Sequence, residues 1–155
     1  MSSVYLLHEN KILFLYRIGS RVVSNSYVGS AGGHFEKEEL NNARACVLRE
    51  LGEETGLVEK DITDLALRYI TLRLKNGEIR QNYYFFANLI DADRNIVSNE
   101  GRLKWTDMND ISSLDMPFTA KQVIEHYIST GKNTTFLYGG IATAEGVSFV
   151  KMQDF

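Results

Sequence analysis

The chain has 155 residues, 44% apolar and 24% charged, with one proline, one cysteine and a formal net charge of −3. These values describe a single soluble globular domain with a sizeable core and exclude a disordered, fibrous or disulfide-framed protein. The acidic balance removes the basic field that bulk nucleic-acid binding requires, while a single nucleotide stays open as a ligand because a metal ion can supply the positive charge.

Strand and helix signals alternate along the chain without a linker. "SVYLLHE" and "KILFLYRI" are rich in β-formers, and the polar "HEN" between them reads as a turn. "SNSYVGSAGGHFE" holds a strand remnant expected to break at Gly32-Gly33. A helix is expected from about Asn42 to Thr55, with Asn42 as its N-cap and Gly56 closing it as a C-terminal cap. "DLALRYITLRL" and "IRQNYYFFANLI" read as a hairpin turning at Asn76-Gly77. "LKWTDM" gives a further short strand, and "TAKQVIEHYIST" a second helix whose apolar stripe is Val123, Ile124, Tyr127 and Ile128. The tail, Asn133 to Phe155, offers two more strand-like runs around "AEG"; their apolar residues predict a hairpin that extends the sheet or makes a dimer contact. The expected fold class is α+β, an α/β/α sandwich around a mixed sheet, forming one domain over 1–155 with a C-terminal extension from about residue 130. No apolar run reaches the roughly 18–20 residues of a membrane span. "MSSVYLLHENK" has no signal-peptide pattern and Cys46 no partner for an internal disulfide, so a cytoplasmic protein is expected.

The first helix carries Glu50, Glu53 and Glu54 at i, i+3 and i+4. Like charges at that spacing repel by roughly 0.2–0.5 kcal/mol per pair, and Arg49 is the nearby cation on that side. Val47, Leu48 and Leu51 lie mostly to one side of this arc and would pack on the sheet. Hard oxygen ligands clustered in this way suit Mg²⁺ or Mn²⁺. An isolated acidic triplet is more often a solvated face; what precedes it shifts the balance. "GGHFEKEELNNARACVLRELGEETGL" contains Gly33-x5-Glu39 followed by Arg49, Glu50, Leu51, Glu53, Glu54, Gly56 and Leu57. It resembles the signature box of the Nudix hydrolases, the MutT-type family, and the resemblance extends loosely over about residues 3 to 129. Nine residues separate Glu39 from Arg49, two more than the family spacing, and the extra pair fits in the loop before the Asn42 cap. Either Glu39 or Glu38 can then fill the box position.

The resemblance implies an enzyme that hydrolyses a diphosphate bond in a nucleoside diphosphate derivative, with Mg²⁺ or Mn²⁺ as cofactor. It implies Glu53 and Glu54 as the main metal ligands together with the backbone carbonyl near Gly32. Glu50 would complete the shell or act as general base, and Arg49 would orient the carboxylates. A late-loop acid of the family matches Glu100 in "SNEGRLKW". Gly33 and Glu39 fall on the substrate side of the box, and Tyr83 or Phe118 is available to contact a base. Family members that take ADP-ribose often carry a proline after the box, and those that take dinucleoside polyphosphates a tyrosine. Here the only proline is Pro117 and "TLRLKNGE" has no tyrosine. That favours a nucleoside triphosphate, with oxidised dGTP as one option, although Thr119 and Ala120 stand where MutT-type guanine recognition uses an asparagine. The alternative is a nucleotide-sensing or protein-binding module without turnover. A homodimer stays open; membrane and bulk nucleic acid are not expected as partners. His8, His34 and His126 show no zinc-ligand spacing, and Cys46 reads as core.

Overall fold

A computed structural model of the chain describes residues 1–18 and 25–154; Ser24, the first residue of the "SNSYVG" stretch, and Phe155 lie outside them. Two long hairpins supply the middle of the sheet. β1 (Ser2–His8) and β2 (Lys11–Arg17) turn at Glu9-Asn10, with Glu9 at φ 51°. Later in the chain, β5 (Ile62–Lys75) and β6 (Glu78–Leu89) turn at Asn76-Gly77, whose φ values of 54° and 79° are those of a tight I′ turn. β1 and β6 pair in parallel, Ser2 opposite Tyr83, which joins the two hairpins into one mixed sheet.

Alternation along the strands divides the core in two. Val4, Leu6, Leu13, Phe85, Ala87 and Leu89 face α1 (Ala43–Thr55), whose Val47 and Leu51 pack on them. Tyr5, Ile12, Phe14, Tyr84 and Phe86 face the opposite side, where α2 (Phe118–Ser129) buries Val123, Ile124 and Tyr127. The sheet therefore lies between two helices, the α/β/α sandwich expected. The run Tyr84–Phe86 is core on alternating faces, as a strand buried on both sides requires.

The short strands position the site. β3 (Ser26–Val28) pairs with the second half of β2, and β4 (Ala31–Gly33) with the first half of β1. Between them Ser30 is fully buried; its hydroxyl accepts from the Leu6 amide and donates to the Leu13 carbonyl, bridging the place where β1 and β2 separate. Gly32 and Gly33 do not end a strand, as their composition suggested. They are β4 itself, paired with Ser3 and Ser2. A Cβ on Gly32 would collide with the backbone of Ser2 and Ser3, so glycine is what permits this pairing.

β7 (Gly101–Asp107) runs along β2, and its first residue lies opposite Arg17. A six-residue 3-10 segment, Met108–Ser113, buries Met108 and Ile111 beneath α2; the sequence reading did not foresee it. The tail forms β8 (Tyr138–Ala142) and β9 (Val147–Lys151), an antiparallel hairpin whose first strand pairs in parallel with β5. The tail thus extends the sheet. Among the described residues no helix is long and apolar enough to cross a membrane.

Candidate active site

α1 begins and ends where its sequence dictates. The Asn42 side chain accepts from the Ala45 amide at 3.0 Å, and Gly56 closes the helix in the left-handed region at φ 69°. The two additional residues before the helix are absorbed upstream. Lys37–Glu39 make one 3-10 turn and Asn41 takes φ 73°, a conformation asparagine tolerates. The helix register is untouched: Glu54 reaches Gly32 and Glu50 lies over Gly33 of β4, Arg49 reaches the His34 carbonyl after it, and Glu53 pairs with Arg49.

Arg49 is the clamp of this surface. Its guanidinium donates to both oxygens of Glu39 at 2.7 and 3.0 Å, to the His34 carbonyl at 3.0 Å and to Glu53 at 2.9 Å, and it lies 3.0 Å from Glu50. Glu39 also accepts from the Glu36 amide at 2.9 Å. The Arg49 bonds foremost, then that amide, hold the Glu39 carboxyl down at about 2. Of the two glutamates the spacing allows at the box position, Glu39 is buried and Glu38 exposed. Through these bonds to Arg49 and the Glu36 amide, Glu39 ties α1 to the loop that precedes it.

Glu54 is the other pole. It is 9% exposed and accepts from the Gly32 amide at 3.0 Å. Burial pushes its carboxyl up to about 7, the Gly32 amide and Arg17 opposing the rise while Glu100 and Glu50 add to it. Arg17, at the end of β2, lies 3.4 Å from Glu54 and 2.9 Å from Glu100. It was not singled out in the sequence, because its partners are 37 and 83 positions away: the pairing of β2 with β7 brings Glu100 near, and the seating of α1 against β4 brings Glu54.

The remaining candidates fall around this pair of poles. Gly33 lies directly beneath the Glu50 carboxylate, which occupies the space a Cβ would take. Glu53 is the most exposed of the helix carboxylates, its side chain 59% accessible against 12% for Glu50. Tyr83 is on the α1 side of the sheet and packs against Phe35 of the loop after β4, ring centroids 5.3 Å apart. Phe118 opens α2 on the opposite side of the sheet from the carboxylates, half exposed, so it and Tyr83 do not share a surface.

Among the described residues no three carboxylate, imidazole or thiol groups converge within reach of one metal ion. The reason is visible in the pairing: Arg49 draws Glu50 and Glu53 to one side, and Arg17 draws Glu54 and Glu100 to the other. The donor chemistry nonetheless fits a hard divalent cation: these are carboxylate oxygens, and Glu100 and Glu50 both add to the upward push on the buried Glu54 carboxyl.

The model of the NUDIX domain matches residues 2–127. The chain belongs to the Nudix family. Three solved structures share its fold at low identity. One is the mutator MutT protein from Bacillus halodurans, with TM-score 0.67 and 20% identity over 97% of this chain and 95% of that one. A second is an Ap4A hydrolase from C. elegans, with TM-score 0.65 and 14% identity over 86% and 96%. The third is a NUDIX hydrolase from Nitrosomonas europaea, with TM-score 0.67 and 18% identity over 91% and 76%. No curated protein matches the chain. Nudix proteins are hydrolases of nucleoside diphosphate derivatives, and this chain is an enzyme of that class, a pyrophosphohydrolase. The Nudix domain ends close to the last turn of α2, so the β8–β9 hairpin is additional to it.

Proposed function

We propose that the chain hydrolyses a nucleoside triphosphate to the monophosphate and pyrophosphate in a reaction that depends on Mg²⁺ or Mn²⁺. The observation that carries this reading is Glu54: a buried carboxylate on a helix that feels both Glu50 and Glu100 and has one long arginine contact, 3.4 Å to Arg17. Glu53, Glu54 and Glu50, with Glu100 and the backbone at Gly32, would hold the ion. A divalent ion there would offset the negative charge of the diphosphate and acidify a water molecule. Glu54 is held in place by the Gly32 amide, and Glu50 is placed by Gly33 beneath it and Arg49 beside it. Glu50, less exposed than Glu53, is the group we assign to accept the proton of the attacking water.

For the nucleoside, the Tyr83–Phe35 pair on the box side is a stacking surface. A second pair, Tyr16 and Tyr27 with centroids 4.8 Å apart, lies on the α2 side of the sheet, the face opposite the Arg17 side chain. Phe118 belongs to the Tyr27 side, because the Tyr27 amide donates to Asp115 just before α2. Oxidised dGTP is one member of the substrate class we propose. The single buried thiol, Cys46, suits a reducing compartment and hence the cytoplasm.

One observation favours a second reading, nucleotide sensing without turnover: all four carboxylates are already paired with arginine. A screen of nucleoside triphosphates, ADP-ribose and dinucleoside polyphosphates with Mg²⁺ or Mn²⁺, reading released phosphate or pyrophosphate, decides between them. Turnover of a triphosphate with pyrophosphate release supports the enzyme reading. Nucleotide binding by calorimetry with no product over the same panel supports the sensor.

A further inference from the structure

The two arginines of the site are bonded very differently. Arg49 is saturated: Glu39, Glu50, Glu53 and the His34 carbonyl surround it. Arg17 reaches its two carboxylates through one terminal nitrogen, Nη2, at 2.9 Å to Glu100 and a long 3.4 Å to Glu54. Its Nε is buried and, among the described residues, has no acceptor. A guanidinium that leaves an inner N–H unpaired while stretching one nitrogen between two anions is not a fixed brace. It is a cation whose bonds another cation can replace at little cost.

The backbone holds Arg17 in this position deliberately close to the acidic loop. Arg17 is paired with Gly101, the residue after Glu100, and Gly101 approaches the Tyr16 carbonyl so closely that a Cβ there would overlap it. The glycine lets β7 start flush against β2, bringing the Glu100 loop within reach of the arginine.

We propose that Arg17 is the internal counter-cation of the site: it neutralises Glu54 and Glu100 in the metal-free protein, yields them to the metal ion, and then turns its freed guanidinium to a substrate phosphate. This inference rests on the metal-dependent reading above. A divalent ion drawn to Glu54 and Glu100 would meet the positive guanidinium that already lies against both carboxylates, so the two cations compete for them. Once displaced, the planar N–H fork matches a phosphate oxygen pair better than it now matches two separate carboxylates. Metal and diphosphate would then bind cooperatively, because the ion pays for releasing the arginine that the phosphate needs.

The test is Mg²⁺ binding by calorimetry to the full-length, metal-free protein and its Arg17→Met variant, followed by binding of inorganic pyrophosphate in saturating Mg²⁺. Arg17→Met should melt lower without metal, bind Mg²⁺ on the order of tenfold more tightly, and bind pyrophosphate on the order of tenfold more weakly. A merely structural arginine would, when removed, loosen Mg²⁺ as well. Mg²⁺ affinity that is unchanged or weakened in Arg17→Met therefore overturns the proposal. Absence of Mg²⁺ binding by parent and variant alike overturns the metal-dependent reading instead. Should Arg17→Met fail to fold, ¹⁵N-arginine NMR of the parent gives the same answer: the Arg17 Nε–H signal, assigned by its loss in Arg17→Lys, must shift when Mg²⁺ is added. A signal that stays in place overturns the proposal.

Discussion

Glu39 and Glu54 are both buried carboxylates beside an arginine, yet their protons are held in opposite senses. Two oxygens of Glu39 meet Arg49, while one oxygen of Glu54 meets Arg17 at a longer distance. Glu39 lies at about 2, below its ordinary 4.5, so its contribution to stability is present above the ordinary value and is lost as pH falls from there through about 2. Glu39→Gln should therefore flatten the acid limb: urea midpoints of parent and variant differ most near neutrality and converge towards pH 2. A constant difference across that range would mean that the Arg49 pairing is not what Glu39 contributes. At this scale the helix acids and Arg49 were legible, because their spacing is local. Arg17 was not, since no sequence pattern links a strand-ending arginine to a helix and a loop that meet it only after the sheet forms.

At the level of elements, caps and hairpin turns were readable because their chemistry is contained in two to four neighbouring residues: Asn42, Gly56 and Asn76-Gly77. Gly32 and Gly33 misled, since intrinsic preference argues against a glycine strand while pairing with β1 requires one. The two positions are expected to fail differently. In Gly32→Ala the new methyl meets Ser2 and Ser3 backbone, which cannot yield, so the protein should lose stability heavily or not fold. In Gly33→Ala it meets only the end of the Glu50 side chain, which can swing away, so melting should change little while turnover falls at least tenfold. Equal loss of melting temperature in both variants would contradict this. Asn42→Ala should cost about 1 kcal/mol, read by urea unfolding, because it strips one acceptor from the first turn of α1.

Over the whole molecule, the division into two faces followed from alternation in β1 and β6, whereas the parallel pairing of β1 with β6 and of β5 with β8 left no local mark. The apolar tail announced a hairpin but not its neighbour. Tyr138 and Phe149 pack around Tyr69 and His126, and the Tyr69 hydroxyl lies 2.8 Å from His126 Nδ1. Deleting residues 133–155 would expose this aromatic cluster. Losing about 3 kcal/mol of such packing corresponds to a drop of roughly 6–12 °C in a domain of this size. An unchanged melting temperature would show the hairpin to be dispensable.

The acidic face of α1, in the function we propose, is held together for a cation that takes part in hydrolysis. Glu54→Gln keeps the shape and an acceptor for the Gly32 amide while removing the charge that burial opposes. The metal-free variant should be at least as stable as the parent, gaining up to a few tenths of a kcal/mol from relieved repulsion. Its turnover should fall by roughly a hundredfold or more, a few kcal/mol of lost transition-state stabilisation, and Mg²⁺ should raise the melting temperature of the parent more than that of the variant. The decisive measurement is turnover and melting of parent and Glu54→Gln side by side, with and without Mg²⁺. Loss of both activity and metal response in a stable variant is the predicted result; a Glu54→Gln protein with full activity and the parent's metal response would contradict the account.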